Sequence, residues 1–191
     1  MPKQSTNLKF FRMRTAFKEW AVVVDALGRG EQILILRKGG IHEGQGGFQV
    51  EYPRFWLFPT LFHQQRESVI SAAQERFINS ANSEKVLIEF LAEVAEWRRI
   101  DSLEQARSFR GQHIWKDEVI AERFEWGRTK DIFALAVRVF RLPRAFELPV
   151  LQSYGGCKSW IELEVDLPTK EAVPVLNETS FAEKLKRFRN A

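Results

Sequence analysis

The chain predicts an α+β fold: a mixed sheet flanked by helices, with amphipathic helices near both ends. Three observations carry that reading. Ile33-Leu34-Ile35-Leu36 is a short apolar run between Gly30 and Gly39, the pattern of a strand buried on both faces. Ile132 to Leu142 is rich in β-branched and aromatic residues, and Lys158 to Val165 alternates Trp160, Glu162 and Glu164 with Ile161, Leu163 and Val165. Between these strands stand helical periods with capping residues at their starts.

In chain order, Met13, Ala16, Phe17, Trp20, Val23, Val24 and Leu27 recur at helical spacing and predict a long N-terminal helix stopped by Gly28 and Gly30. The Ile33 strand then delivers Arg37 and Lys38 to a glycine-rich excursion through Gly39, Gly40, Gly44, Gly46 and Gly47. A dense aromatic stretch, Phe55-Trp56-Leu57-Phe58-Pro59-Thr60, leads to His63. Val69, Ile70, Ala73 and Phe77 predict a second helix, closing in a linker from Asn79 to Ser83. Val86 to Ile100 fits either a strand, by its even positions, or a helix, by Leu87, Phe90, Leu91 and Val94. Its glutamates tilt the residue-level reading toward helix. Ser102 with Gln105 forms a capping box for a helix from Leu103 to Arg110, and Asp117 opens another that ends at Gly127. The Ile132 strand stops at Pro143, and Ser180 with Glu183 caps a last helix whose apolar face is Phe181, Leu185 and Phe188.

At 191 residues the chain suits one sizeable core, expected over residues 1–191, with a C-terminal helical extension at about 179–190. Hydrophobic residues at 45% and charged residues at 28% exclude disorder for most of the chain. The single cysteine, Cys157, excludes an internal disulfide and paired-cysteine zinc sites, and it suits a reducing compartment. No apolar run approaches a membrane span and no signal core follows the start, so we expect a cytoplasmic protein without a membrane partner. The net charge of +4 sits at the two ends of the chain. Lys3, Lys9, Arg12, Arg14 and Lys18 stand near the start and Lys184, Lys186, Arg187 and Arg189 near the end, so the middle is slightly acidic.

The candidate site is the stretch from Arg37 to His63 together with Tyr154-Gly155-Gly156-Cys157-Lys158-Ser159-Trp160. Arg37 and Lys38 beside glycines can offer cations and backbone N–H groups to phosphate, although the Walker spacing is absent. Trp56, Trp115, Trp126 and Trp160 can supply a base-stacking platform or a packed core. We therefore expect Arg37, Lys38, His63, Trp115 and Lys158 to bind ligand, with Arg37 to Ile41, Pro59 to His63 and Gly155 to Trp160 converging in space. His42, His63 and His113 share no metal-ligand spacing, and no cofactor motif is present, so no metal or cofactor is expected. A nuclease would need clustered carboxylates with a lysine, and Ile33 to Leu36 carries no Glu-x-Lys element; a deaminase would need paired cysteines.

Six ordered motifs carry a family resemblance: Ala16-Phe17-Lys18-Glu19-Trp20, Arg37-Lys38-Gly39-Gly40-Ile41, Phe55 to Thr60 with His63, His113-Ile114-Trp115, Arg138 to Pro143, and Tyr154 to Trp160. Over about residues 14–165 the chain resembles the bacterial domain-of-unknown-function family eighteen-oh-two. That resemblance implies a setting beside DNA restriction or modification systems. The order of elements around Val86 to Leu142 also resembles PUA-like barrels, including ASCH and EVE domains. This second resemblance implies a barrel-like sheet, a strand at Val86 to Ile100, and an aromatic-lined cleft for RNA or modified bases. The resulting expectation is a noncatalytic module that binds DNA or RNA, reads modified bases and has a restriction-system protein as partner. The alternatives are a small hydrolase or nucleic-acid-processing enzyme using Glu43, His63 and His113, and a protein-interaction adaptor using the tail helix.

Overall fold

The computed structural model describes residues 12–38, 52–61, 64–77 and 84–191. Its elements are β1 (Arg12–Trp20), α1 (Ala21–Gly28), β2 (Leu34–Arg37), β3 (Arg54–Thr60), α2 (Ser71–Gln74), β4 (Lys85–Ile100), α3 (Leu103–Ser108), α4 (Asp117–Glu125), β5 (Ile132–Pro149), β6 (Trp160–Pro168), β7 (Val173–Pro174) and α5 (Glu178–Asn190). The strands form one mixed sheet in the order β2-β5-β4-β3-β1-β6, with β7 pairing β5 beyond β2 on the margin away from β4. Only the β1–β3 pairing is parallel among the described ladders. No described ladder joins β2 to β6, so the sheet is open rather than a closed barrel.

The long N-terminal helix is corrected: its first half is β1 and only Ala21–Gly28 is helical. β1 lies between β3 and β6, so Ala16 and Phe17 are buried on opposite faces of the sheet. The tertiary pairing on both sides overrides the helical spacing. The predicted stop holds through Gly30, whose φ of 69° is costly for any residue with a side chain. Gly30 N–H bonds to Leu27 O at 3.0 Å and Glu31 N–H to Ala26 O at 3.0 Å, a Schellman ending.

Val86 to Ile100 is strand, as the PUA-like order implied and the residues did not, because the whole segment pairs with β5. β5 continues past Pro143 to Pro149, which corrects its expected end. The ladder shifts between Ile88↔Phe146 and Phe90↔Arg141, leaving residues 142–145 outside it. A proline that cannot donate is tolerated in such a bulge. The Ser102 cap forms, with its hydroxyl accepting from Gln105 N–H, whereas the cap of α5 is Asn177, whose Oδ1 accepts from Ser180 N–H at 2.8 Å. Ser180 therefore sits inside the first turn. The Asn79 to Ser83 linker lies outside the described residues.

One apolar cluster joins α1, α3, α4 and α5 to one sheet face through Phe17, Phe55, Leu57, Ala92 and Leu135. A second, on the other face, gathers Ala16, Trp56, Phe58, Leu91, Leu142 and Ile161 from five strands. The tail helix docks by Phe181 and Phe188, and Arg98 lies over the Phe188 ring at 4.4 Å. The short outer strand β2 is closed off by side chains: Gln32 Nε2 donates to Leu34 O at 2.6 Å and Arg123 Nη1 to Leu36 O at 3.2 Å. Those carbonyls would otherwise face outward from the sheet margin. Among the described residues no helix is long and apolar enough to cross a membrane.

Candidate functional site

Four elements end around one cleft. β2 terminates in Arg37, and β1 carries Lys18 and Glu19 beside the register pairs Glu19↔Pro59 and Trp20↔Thr60. Thr60 Oγ1 donates to Glu19 O at 3.1 Å, and Lys18 N–H donates to Ser159 O at 2.8 Å, tying the start of β6 to β1. α4 contributes Arg123 from its last turn and Trp126 just beyond it. The cleft between them has a volume of about 230 Å³ and is lined by Leu36, Arg37 and Lys38, by Arg123 and Trp126, and by Cys157 and Ser159.

Its electrostatics are built on one buried carboxylate and three cations. Glu19 is 2% exposed; its Oε1 accepts Trp20 N–H at 2.8 Å, while its Oε2 accepts no hydrogen bond and lies 4.0 Å from Arg37 Nη1. Arg37 Nη2 donates to Ser159 Oγ at 2.7 Å, its guanidinium lies 5.1 Å from the Phe17 ring, and its Nε is buried without a partner. The Arg123 guanidinium stacks 3.7 Å from the Trp115 centroid. Burial pushes Arg123 down to about 10, with the Glu19 charge opposing and the Arg37 charge adding to the shift. Lys18 Nζ donates to Tyr154 O at 2.9 Å and Gly156 O at 2.7 Å. Its ammonium is held below its ordinary value by burial first, with Cys157 opposing and Arg37 and Lys158 adding.

Two of the three segments expected to converge do so: Arg37 and Lys38 meet Cys157 and Ser159 in the cleft. Pro59 and Thr60 support it from behind through Glu19 and Trp20, while Ile41, Glu43 and His63 lie outside the described residues. Lys38 borders the cleft but directs its ammonium to Phe124 O at 3.3 Å, Thr129 O at 2.5 Å, Asp131 O at 2.8 Å and Asp131 Oδ1 at 3.4 Å. It fastens the connection between α4 and β5 rather than presenting a cation to ligand. Trp115 is 2% exposed, with Arg123 over its ring and Trp20 edge-on at 4.8 Å, so it positions Arg123 instead of offering a stacking face. Lys158 is exposed beside the cleft without lining it. His113 is buried, accepts Trp115 N–H at Nδ1, and does not line the cleft.

Of the four tryptophans weighed from sequence, Trp56 is fully buried and donates Nε1–H to Met13 O, and Trp160 packs among Phe17, Phe55 and Tyr52. Trp126 is 56% exposed at the cleft rim and has a ring free to stack. The expectations missed Lys18, Glu19 and Arg123. The signals were present: Lys18 and Glu19 interrupt the apolar run from Ala16 to Trp20, and Arg123 falls on the helix face defined by Ile120 and Phe124. Among the described residues no group of three or more His, Cys, Asp or Glu side chains could hold a metal ion. What the cleft can do is hold an anion on guanidinium donors and stack a planar group against the Trp126 indole.

The family model described as Domain of unknown function (DUF1802) matches residues 16–187, taking in most of α5. None of the curated proteins matches the chain. Among solved structures, the ASCH protein of Zymomonas mobilis is similar at 12% identity over 92% of this chain and 95% of that one, with a TM-score of 0.45. A serine-to-alanine variant of that protein is similar at 12% identity over 94% and 99%, with a TM-score of 0.46. A tyrosine-to-phenylalanine variant is similar at 13% identity over 92% and 97%, with a TM-score of 0.44.

Proposed function

The chain belongs to the family described as Domain of unknown function (DUF1802), and for this member we propose a noncatalytic nucleic-acid-binding role centred on the cleft between β2, β6 and α4. The observation that supports it is the pairing of two guanidiniums, Arg37 and Arg123, with the exposed Trp126 indole around one 230 Å³ space. A guanidinium presents five N–H donors in a planar fork that suits phosphate oxygens. Arg37 uses Nη2 on Ser159 with its Nε buried, and Arg123 uses Nη1 on Leu36 O, so Nη donors of both guanidiniums are left to serve a ligand. Every base has a face that an indole can stack on, which contributes about 1–3 kcal/mol. The cleft is below the range of about 300–1,000 Å³ typical of drug-sized pockets, so it suits part of one nucleotide unit, the rest lying over its rim.

His113, the one histidine among the described residues, is buried away from the cleft, so it does not serve a hydrolytic step there. We extend the proposal to a base-reading module that acts with a restriction-system protein. The test is binding of fluorescent single-stranded and duplex DNA and RNA, with and without a modified base, across a salt series. Trp126→Ala should weaken binding by about 1–3 kcal/mol with an unchanged salt slope. Arg37→Gln should lower that slope by about one ion. Wild-type protein that binds none of these oligonucleotides at low salt would end the proposal. Equal affinity for modified and unmodified bases would remove the base-reading extension alone.

A further inference from the structure

We infer that the Arg37–Arg123 pair is a seat for a terminal phosphate monoester, so that the cleft takes the phosphorylated end of a nucleotide or strand rather than an internal phosphodiester; this rests on the nucleotide reading above. Charge is the first argument. Arg37 and Arg123 line the cleft with the Glu19 carboxylate buried behind them, Lys18 lies near enough for Arg37 and Cys157 to act on its charge, and the remaining lining cation, Lys38, is paired with Asp131. The cleft thus has an excess of two positive charges. A phosphate monoester brings about −1.5 to −2 at neutral pH, whereas a phosphodiester brings one. In a partly buried site, where screening is weak, that difference is strongly felt.

The donors agree with the charge. A monoester has three terminal oxygens to satisfy and a diester two. Arg37 retains an Nη1 that touches Glu19 only at 4.0 Å, and Arg123 uses only Nη1, on Leu36 O. Ser159 is 3% exposed, and its Oγ accepts from Arg37 Nη2, which leaves the hydroxyl proton to donate into the cleft. Two guanidiniums and a hydroxyl therefore converge from β2, α4 and the start of β6. Glu19 acts as a positioning residue, buried behind Arg37 and raising the charge stability of Arg123. Trp126 at the rim is placed to stack on the attached base.

The test uses the full chain and four small probes: inorganic phosphate, adenosine, adenosine 5′-monophosphate and the methyl ester of adenosine 5′-monophosphate. Occupancy is read by tryptophan fluorescence and by protection of Cys157, the single thiol, which is exposed on the cleft wall. Adenosine 5′-monophosphate should bind at least about tenfold more tightly than adenosine, which brings no charge, or the methyl ester, which brings one negative charge and one terminal oxygen fewer. Strands phosphorylated at the 5′ or the 3′ end should outbind their hydroxyl-ended counterparts by a similar ratio. Ser159→Ala should shrink that ratio, read against hydroxyl-ended strands on the same variant, and Arg37→Gln should shrink it while also weakening strands of both kinds. The methyl-ester comparison needs no variant, so it stands even where a substitution perturbs folding. Equal binding of the monophosphate and its methyl ester would overturn the inference. Strands that bind without regard to their ends would overturn it and leave the nucleic-acid reading standing, whereas mononucleotide binding without strand binding would do the reverse.

Discussion

Replacing Lys38 by methionine separates a lysine that holds the fold from one that holds ligand. Methionine keeps much of the stem and removes the ammonium, so Phe124 O, Thr129 O and Asp131 O lose a shared donor and Asp131 loses one cation. The Lys38 and Asp131 side chains are 11% and 6% exposed, which places the pair with buried ones. Removing one partner of a buried pair costs about 3–5 kcal/mol. Arg99 stays on Asp131 Oδ2 at 2.6 Å and the Thr129 hydroxyl on Oδ1 at 2.9 Å, so the carboxylate is not stranded and the expected loss is about 3 kcal/mol. For a chain of this length each kcal/mol moves the midpoint by about 2–4 °C, so Tm should fall by about 6–12 °C. The assay pairs thermal and urea unfolding with the salt dependence of oligonucleotide binding. An unchanged Tm together with a salt slope lowered by about one ion would refute the reasoning and return Lys38 to the ligand.

Three further outcomes follow from packing and protonation. His113 is pushed down to about 4 by burial, with Asp117 opposing; because its folded value lies below the unfolded one, stability should fall as pH drops from about 6.5 toward 4, by up to about 3 kcal/mol. Urea midpoints from pH 7.5 to 4.5 check it, and a His113→Gln chain with the same slope would show that another group is responsible. Gly28→Ala would set a Cβ 2.2 Å from Phe90 Cζ while Arg141 covers that ring and donates to Gly28 O, so overpacking should cost about 1–3 kcal/mol by chemical denaturation. Phe188→Ala removes a ring packed on Phe109 and Arg98 and should cost about 3–5 kcal/mol with unchanged cleft affinity. A Phe188 variant of normal stability that fails to bind would assign the tail helix to ligand recognition.

Local signals were legible where local chemistry decides. The Ser102 cap, the Gly30 stop and the apolar face of α5 were visible because each depends on neighbours within a turn or two. Residues 12–20 and 85–100 were ambiguous because their neighbours are distant: β1 is sandwiched by β3 and β6, and β4 is paired along its length with β5. The site divides in the same way. Arg37 and the segment around Ser159 could be guessed from basic and glycine-rich loops, but adjacent Lys38 turns to the α4–β5 connection, which no spacing encodes. Arg123 and Glu19 enter the site only through the crossing of α4 over the ends of β1 and β2.

The placement of β1 between its parallel neighbour β3 and the late strand β6 has a consequence for synthesis. As the chain leaves the ribosome, β1 emerges before both of its partners, so one flank must wait for residue 60 and the other for residue 168. Until then its backbone groups and the apolar side chains Ala16 and Phe17 have only provisional cover. Such long-range closure is slow, and unpaired strand margins invite the wrong neighbour. The nascent protein should therefore depend on chaperone cover until β6 has emerged, and chains ending before β6 should be recovered mainly as aggregates.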